Sequence, residues 1–204
     1  MTESFIQPTA VGSPPTYTGE ADQMYHVIAF DPGGTTGWAQ MCFWNECFEP
    51  GEKMLAWLHS WSCGQFTGNE DDQVDQMIEL VEGWPSHTDV VVEDFILRAY
   101  RRGRELLSPV RVTAAFKHEL RWMGRPKRGR GREGGKENPR EPILQQPSLA
   151  MTCITDERLK QMGMYPATAG LPHARDAVRH CLTWARRRQE GCNFESERRI
   201  SVVF

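Results

Sequence analysis

The chain has 204 residues, with 24 Lys/Arg against 27 Asp/Glu for a formal net charge of −3. That length suits one α/β domain with its own core and leaves no room for two large lobes joined by a hinge. The six cysteines (Cys42, Cys47, Cys63, Cys153, Cys181, Cys192) form no CxxC pair and no regular spacing, so they support neither a disulfide framework nor a zinc knuckle. The first residues have neither a basic n-region nor an apolar h-region, and no run reaches the roughly 18 apolar residues of a membrane span. The expectation is a cytoplasmic protein with no membrane partner.

Residues 1–24 carry Pro8, Gly12, Pro14, Pro15 and Gly19 among small polar residues and read as a disordered tail. A domain is expected over 25–190, followed by a C-terminal tail over 191–204. His26–Asp31 is a short β-rich run that ends on a carboxylate. Pro32-Gly33-Gly34 then signals a turn, and Gly37–Trp44 follows as the second arm of a hairpin with Asp31 at its mouth. Trp61–Phe66 reads as a third strand, with a short helix or bent segment over 49–59 before it. Asn69 caps a helix running through Trp84, because Val74, Met77, Ile78 and Val81 recur at helical spacing; Pro85 ends it.

Asp89–Phe95 is an apolar run with the composition of a buried central strand, interrupted by Glu93 at its end. Glu105–Met123 reads as a helix in which Pro109 shifts the start or kinks the axis. Gly124–Glu141 mixes Arg and Lys with Pro126, Gly129, Gly131, Gly134, Gly135 and Pro139, the composition of a flexible basic loop over 124–141. Pro142–Gln146 resumes as a strand, Thr155–Met162 as a short helix and Pro172–Arg188 as the last helix. Pro172 suits a first helical position, and Arg186, Arg187 and Arg188 suit the negative end of the helix dipole. The expected architecture is α/β: a central mixed five-stranded sheet flanked by helices.

The charge is strongly segregated. Between Arg98 and Arg140 lie 14 Lys/Arg and 4 Asp/Glu, a net of +10, so the rest of the chain carries −13. A basic block of this kind faces phosphates or is a solvated loop.

Three carboxylates stand at positions that carry chemistry. Asp31 ends the first strand and Glu93 the fourth, so they converge if those strands are neighbours. His173 and Asp176, three residues apart, project from one face of the first turn of the last helix. Such a set offers oxygens and an imidazole to a hard cation, Mg²⁺ or Mn²⁺. Each residue also has a plainer reading. Asp31 fits an Asx turn before Pro-Gly-Gly, and His173 and Asp176 fit helix capping. Glu93 is harder to explain away, because a carboxylate after Val-Val-Val pays a desolvation cost unless it is paired or metal-bound. Asp94 points to the opposite face by strand alternation and is assigned no ligand role. His180, one turn beyond Asp176, reads as a core histidine or as a support behind the other groups.

The string Val-Ile-Ala-Phe-Asp31-Pro-Gly-Gly-Thr-Thr-Gly-Trp-Ala resembles the first motif of RuvC-type Holliday junction resolvases. Val-Val-Val-Glu93 resembles their second motif, and His173-Ala-Arg-Asp176-Ala their last; the three fall in order across residues 26 to 188. The whole is similar to RuvC-like nucleases encoded by phages, which would place the protein in a host cytoplasm. This resemblance implies a ribonuclease H-like fold and a two-metal crossover junction endodeoxyribonuclease acting on branched DNA such as four-way junctions.

 It also implies roles for the residues: Asp31 bridging both metals, Glu93 holding one, and Asp176 with His173 holding the other, with two Mg²⁺ (or Mn²⁺) ions per site and a homodimer matching the near two-fold symmetry of a junction. Phe95, two residues after Glu93, lies where that family can place an aromatic against bases, or else packs in the core. Arg98, Arg101, Arg102 and Arg104, with Arg125, Lys127, Arg128, Arg130 and Arg132 of the basic loop, are expected to contact DNA phosphates, which predicts a steep salt dependence of binding. The basic loop and the N-terminal tail have no obvious counterpart in the short bacterial resolvases. Two other classes share features with the chain. Asp31-Pro-Gly-Gly-Thr-Thr-Gly also resembles the phosphate loop of actin-like ATPases and sugar kinases, although no second copy of that loop is present, and the basic block alone would suit a non-catalytic nucleic-acid-binding protein.

Overall fold

The computed structural model describes residues 24–45, 55, 58–95, 107–123, 141–168 and 170–191. The expected tails, apart from Met24, which begins the first strand, and Gly191, the basic loop over 124–141 up to Arg140, and the arginines at 98, 101, 102 and 104 lie outside these residues. Strands β1 (Met24–Asp31), β2 (Thr36–Trp44) and β3 (Leu58–Phe66) form an antiparallel meander. β4 (Asp89–Glu93) and β5 (Ile143–Gln145) then add in parallel on the other side of β1, giving the sheet order β3-β2-β1-β4-β5. This mixed five-stranded sheet flanked by helices is the ribonuclease H-like arrangement.

Strand alternation divides the sheet into two faces. Val27 and Ala29 of β1, Val91 of β4 and Ile143 of β5 pack with Ala177, Val178, Cys181 and Leu182 of helix α6 (Pro172–Gln189). Ile28, Phe30, Val90 and Val92 face the other way, against Val74, Met77 and Val81 of α1 (Glu70–Glu82) and Val112, Phe116 and Leu120 of α2 (Ser108–Met123). Because every second residue returns to the same side, Asp31, Glu93 and Gln145 share the α6 face at the carboxyl ends of three adjacent strands.

Several boundaries differ from the sequence expectation for identifiable reasons. β3 starts at Leu58, so the segment expected to bend already contributes to the sheet. α2 runs from Ser108 with Pro109 in its first turn, where the missing N–H costs no helical hydrogen bond, and the expected shift of the start is what occurs. β4 stops at Glu93 rather than Phe95. Two short helices, α3 (Pro147–Cys153) and α5 (Met164–Ala167), flank α4 (Asp156–Gln161) and have no periodicity long enough to announce them. Asn69 caps α1 as expected, its side chain accepting from the Asp72 N–H while the Asp72 side chain accepts from the Asn69 N–H.

Candidate metal centre

The loop after β1 is held from beneath. Buried Gln73 of α1 accepts a 2.6 Å hydrogen bond from the Thr36 hydroxyl and donates to the carbonyls of Gly34 and Gly68. Ser108 donates to the Gly33 carbonyl at 3.3 Å. The start of α6 lies directly on β2: a Cβ at Gly37 would sit 2.0 Å from the His173 carbonyl carbon, so only glycine permits this approach. Gln65 of β3 receives the His173 backbone N–H at 3.2 Å, supplying a partner that the helix start lacks.

This packing brings the sequence-predicted residues to one place. Asp31, Glu93, Phe95, His173 and Asp176 all line an open cleft of about 340 Å³. Asp31 and Glu93 each follow the last paired residues of parallel strands, Phe30 and Val92. His173 Nδ1 lies 2.7 Å from Asp31 Oδ2, and His180 Nε2 lies 3.0 Å from Glu93 Oε2. Asp176 is paired with the Arg179 guanidinium, which also pairs with Asp156 at the start of α4 and donates from Nε to the Ile154 carbonyl.

The electrostatics follow from burial. Desolvation pushes the Asp31 carboxyl up to about 6, with the nearby charges of Glu93 and Asp176 adding to the rise and the His173 hydrogen bond opposing it. The same hydrogen bond to Asp31 raises the His173 imidazole above its ordinary value. One hydrogen bond therefore shifts the two groups in opposite senses, lowering the acid against its burial and raising the base. Thiol chemistry finds no support nearby, since burial pushes Cys63 up to about 11 and Cys181 well above its ordinary value.

The donor set, three carboxylates with imidazole nitrogens, suits a hard divalent cation, and a dication would relieve the mutual repulsion that burdens Asp31. Among the described residues, no three His, Cys, Asp or Glu side chains are gathered closely enough to hold one ion. Each carboxylate is instead engaged with a histidine or arginine, so a cation entering the cleft competes with His173 and Arg179 for these oxygens.

Phe95 lines the cleft and is not among the described residues of either core cluster. It is partly buried between the cleft and a neighbouring groove lined by Asp94, Lys117 and Arg121. Asp94 faces that groove, away from Asp31, as strand alternation requires. Arg125, Lys127, Arg128, Arg130 and Arg132, like the arginines after Phe95, lie outside the described residues. Sequence reasoning missed Arg179, Gln145 and Gln65. Only Arg179 left a signal, its three-residue spacing from Asp176.

No helix among the described residues is long and apolar enough to cross a membrane. No family model matches the chain, and no curated protein matches it. Among solved structures it is similar to Thermus thermophilus RuvC, at 17% identity and a TM-score of 0.45, over 81% of this chain and 96% of that one. A likeness at that level carries no argument about activity, and the functional reading rests on the cleft and the motifs that line it.

Proposed function

We propose that this chain is a divalent-metal-dependent nuclease of the RuvC type that hydrolyses phosphodiester bonds in branched DNA such as four-way junctions. The observation that carries the reading is the meeting of Asp31, Glu93 and Asp176, from three separate elements, in one open cleft. Asp31, Glu93, Asp176 and His173 would hold the metal, two Mg²⁺ or Mn²⁺ ions per site. Such ions supply a polarised water and charge neutralisation at the scissile phosphate.

The chain's own residues prepare the cleft. His173 holds Asp31 through Nδ1 while Gln65 holds the His173 backbone, so the acid is presented in a defined orientation. Arg179, anchored by Asp156 and the Ile154 carbonyl, fixes Asp176 and brings a guanidinium to the cleft wall. Phe95 offers a ring at the cleft edge on which an unpaired base can stack, an interaction of about 1–3 kcal/mol. Arg98, Arg101, Arg102 and Arg104, with Arg125, Lys127, Arg128, Arg130 and Arg132, would grip backbone phosphates on either side. A homodimer in a cytoplasm, that of a host cell if the chain is phage-encoded, completes the proposal.

The test is a cleavage panel of four-way junction, Y-fork, flap, linear duplex and RNA–DNA hybrid, with Mg²⁺, Mn²⁺ or chelator. The reading expects metal-dependent cutting that favours the junction or another branched substrate. Equal cutting of linear duplex would remove the branched-DNA selectivity, and ATP hydrolysis without any DNA cleavage would favour the phosphate-loop reading.

A further inference from the structure

Glu93 is not left to find its own orientation. Its strand partner across β4 and β5 is Gln145, whose side chain lies on the same face of the sheet. Above them, His180 of α6 is fully buried, with Nδ1 2.9 Å from Gln145 Oε1 and Nε2 3.0 Å from Glu93 Oε2. One ring therefore spans two adjacent strands and ties both to the helix that carries His173 and Asp176. We propose that Gln145 and His180 form a buried brace that fixes the Glu93 carboxylate in the orientation in which it serves a divalent cation.

The chemistry of the three groups favours this role over simple core filling. A histidine in a core with no task is better replaced by an apolar side chain, because each buried polar atom must find a partner. Here both ring nitrogens have one. A glutamine amide can turn either its oxygen or its NH₂ toward Nδ1. With the amide oxygen toward the ring, both ring nitrogens must donate, Nδ1–H to Gln145 and Nε2–H to Glu93; with the amide reversed, its NH₂ donates to Nδ1 and a neutral ring donates its Nε2–H to Glu93. The Gln145 Nε2 has no hydrogen-bond partner as it stands, so the amide is not locked by contacts beyond the ring. Glu93 Oε2 is thus committed to the ring, and Oε1 is left to the cleft. Groups that orient a metal-binding side chain in this way commonly contribute about 10–100-fold to metal affinity.

His180 and Gln145 act through Glu93, so they are positioning residues, and the inference rests on the reading of Glu93 as a metal ligand. The experiment is a titration of the full chain with Mn²⁺ in the absence of DNA, followed by calorimetry, for Glu93→Gln, His180→Ala, His180→Gln, Gln145→Met and the double variant Glu93→Gln/His180→Ala. His180→Gln and Gln145→Met keep the volume of the buried site and guard against loss of folding in His180→Ala. The brace predicts that His180→Ala and Gln145→Met weaken Mn²⁺ binding about tenfold or more, that His180→Gln recovers part of the loss, and that His180→Ala adds nothing once Glu93 is already Gln. If Glu93→Gln weakens binding while Gln145→Met and His180→Gln bind as the parent does, the brace is overturned and the metal site stands. If Glu93→Gln itself binds Mn²⁺ as the parent does, both the brace and the role of Glu93 as a ligand fail.

Discussion

His173 Nδ1 lies 2.7 Å from Asp31 Oδ2, which joins the first turn of α6 to the end of β1 through one hydrogen bond. Asp31 is buried while His173 is partly exposed, so the cost of ionisation falls mainly on the acid. The pairing explains why the same contact pulls the Asp31 carboxyl down against burial and lifts the His173 imidazole.

The sign of the pH dependence follows. Asp31 titrates at about 6 in the folded chain against an ordinary 3.8, so its contribution to stability is fully present below about 3.8 and is lost as pH rises through about 6. His173 is also raised, and its contribution is lost as pH rises through its folded value. Both act in one direction. In metal-free buffer, Asp31→Asn should therefore be more stable than the parent at pH 8, by on the order of 2 kcal/mol, with little advantage at pH 4. Urea unfolding at the two pH values measures this, and a variant less stable than the parent at pH 8 would contradict it.

Metal binding should carry the opposite signature. A cation needs the ionised Asp31, so Mn²⁺ affinity should fall about tenfold per unit as pH drops below about 6. Calorimetric titrations between pH 5 and 8 test this. An affinity that does not change over that range would show that Asp31 takes no part in binding.

The contact between α6 and β2 gives a prediction about stability and site together. In Gly37→Ala the new Cβ would lie 2.0 Å from the His173 carbonyl carbon, in backbone that cannot move without shifting the helix. The cost should be about 3 kcal/mol, with loss of Mn²⁺ binding in the fraction that folds, because His173 and Asp176 travel with α6. Thermal unfolding and Mn²⁺ titration of the same preparation check both effects.

Much of this site could be read before any coordinates. The turn signal after Asp31, the apolar run before Glu93 and the spacing of His173 and Asp176 depend only on local chemistry, and local chemistry is what a sequence states. The strand order that makes Asp31 and Glu93 neighbours was an assumption there, and the pairing of β1 with β4 supplies it. Gln145 could not be read, because its role depends on register with Glu93 and on a histidine 35 residues further along. Arg179 was legible only in part: its three-residue spacing from Asp176 is local, but its other partner, Asp156, belongs to a different short helix. The sequence leaves Phe95 two readings, against bases or in the core, and the structure sets it at the cleft, two residues past the end of β4.

The central claim is that Asp31, Glu93 and Asp176 form a metal-dependent hydrolytic site. The most direct measurement is cleavage of a synthetic four-way junction in Mg²⁺ or Mn²⁺ by Asp31→Asn, Glu93→Gln and Asp176→Asn, with junction binding followed in parallel. The account predicts that each variant binds the junction and cuts it at least a hundredfold more slowly, a loss of about 3 kcal/mol or more in transition-state stabilisation. Variants that cut at the parent rate would contradict it.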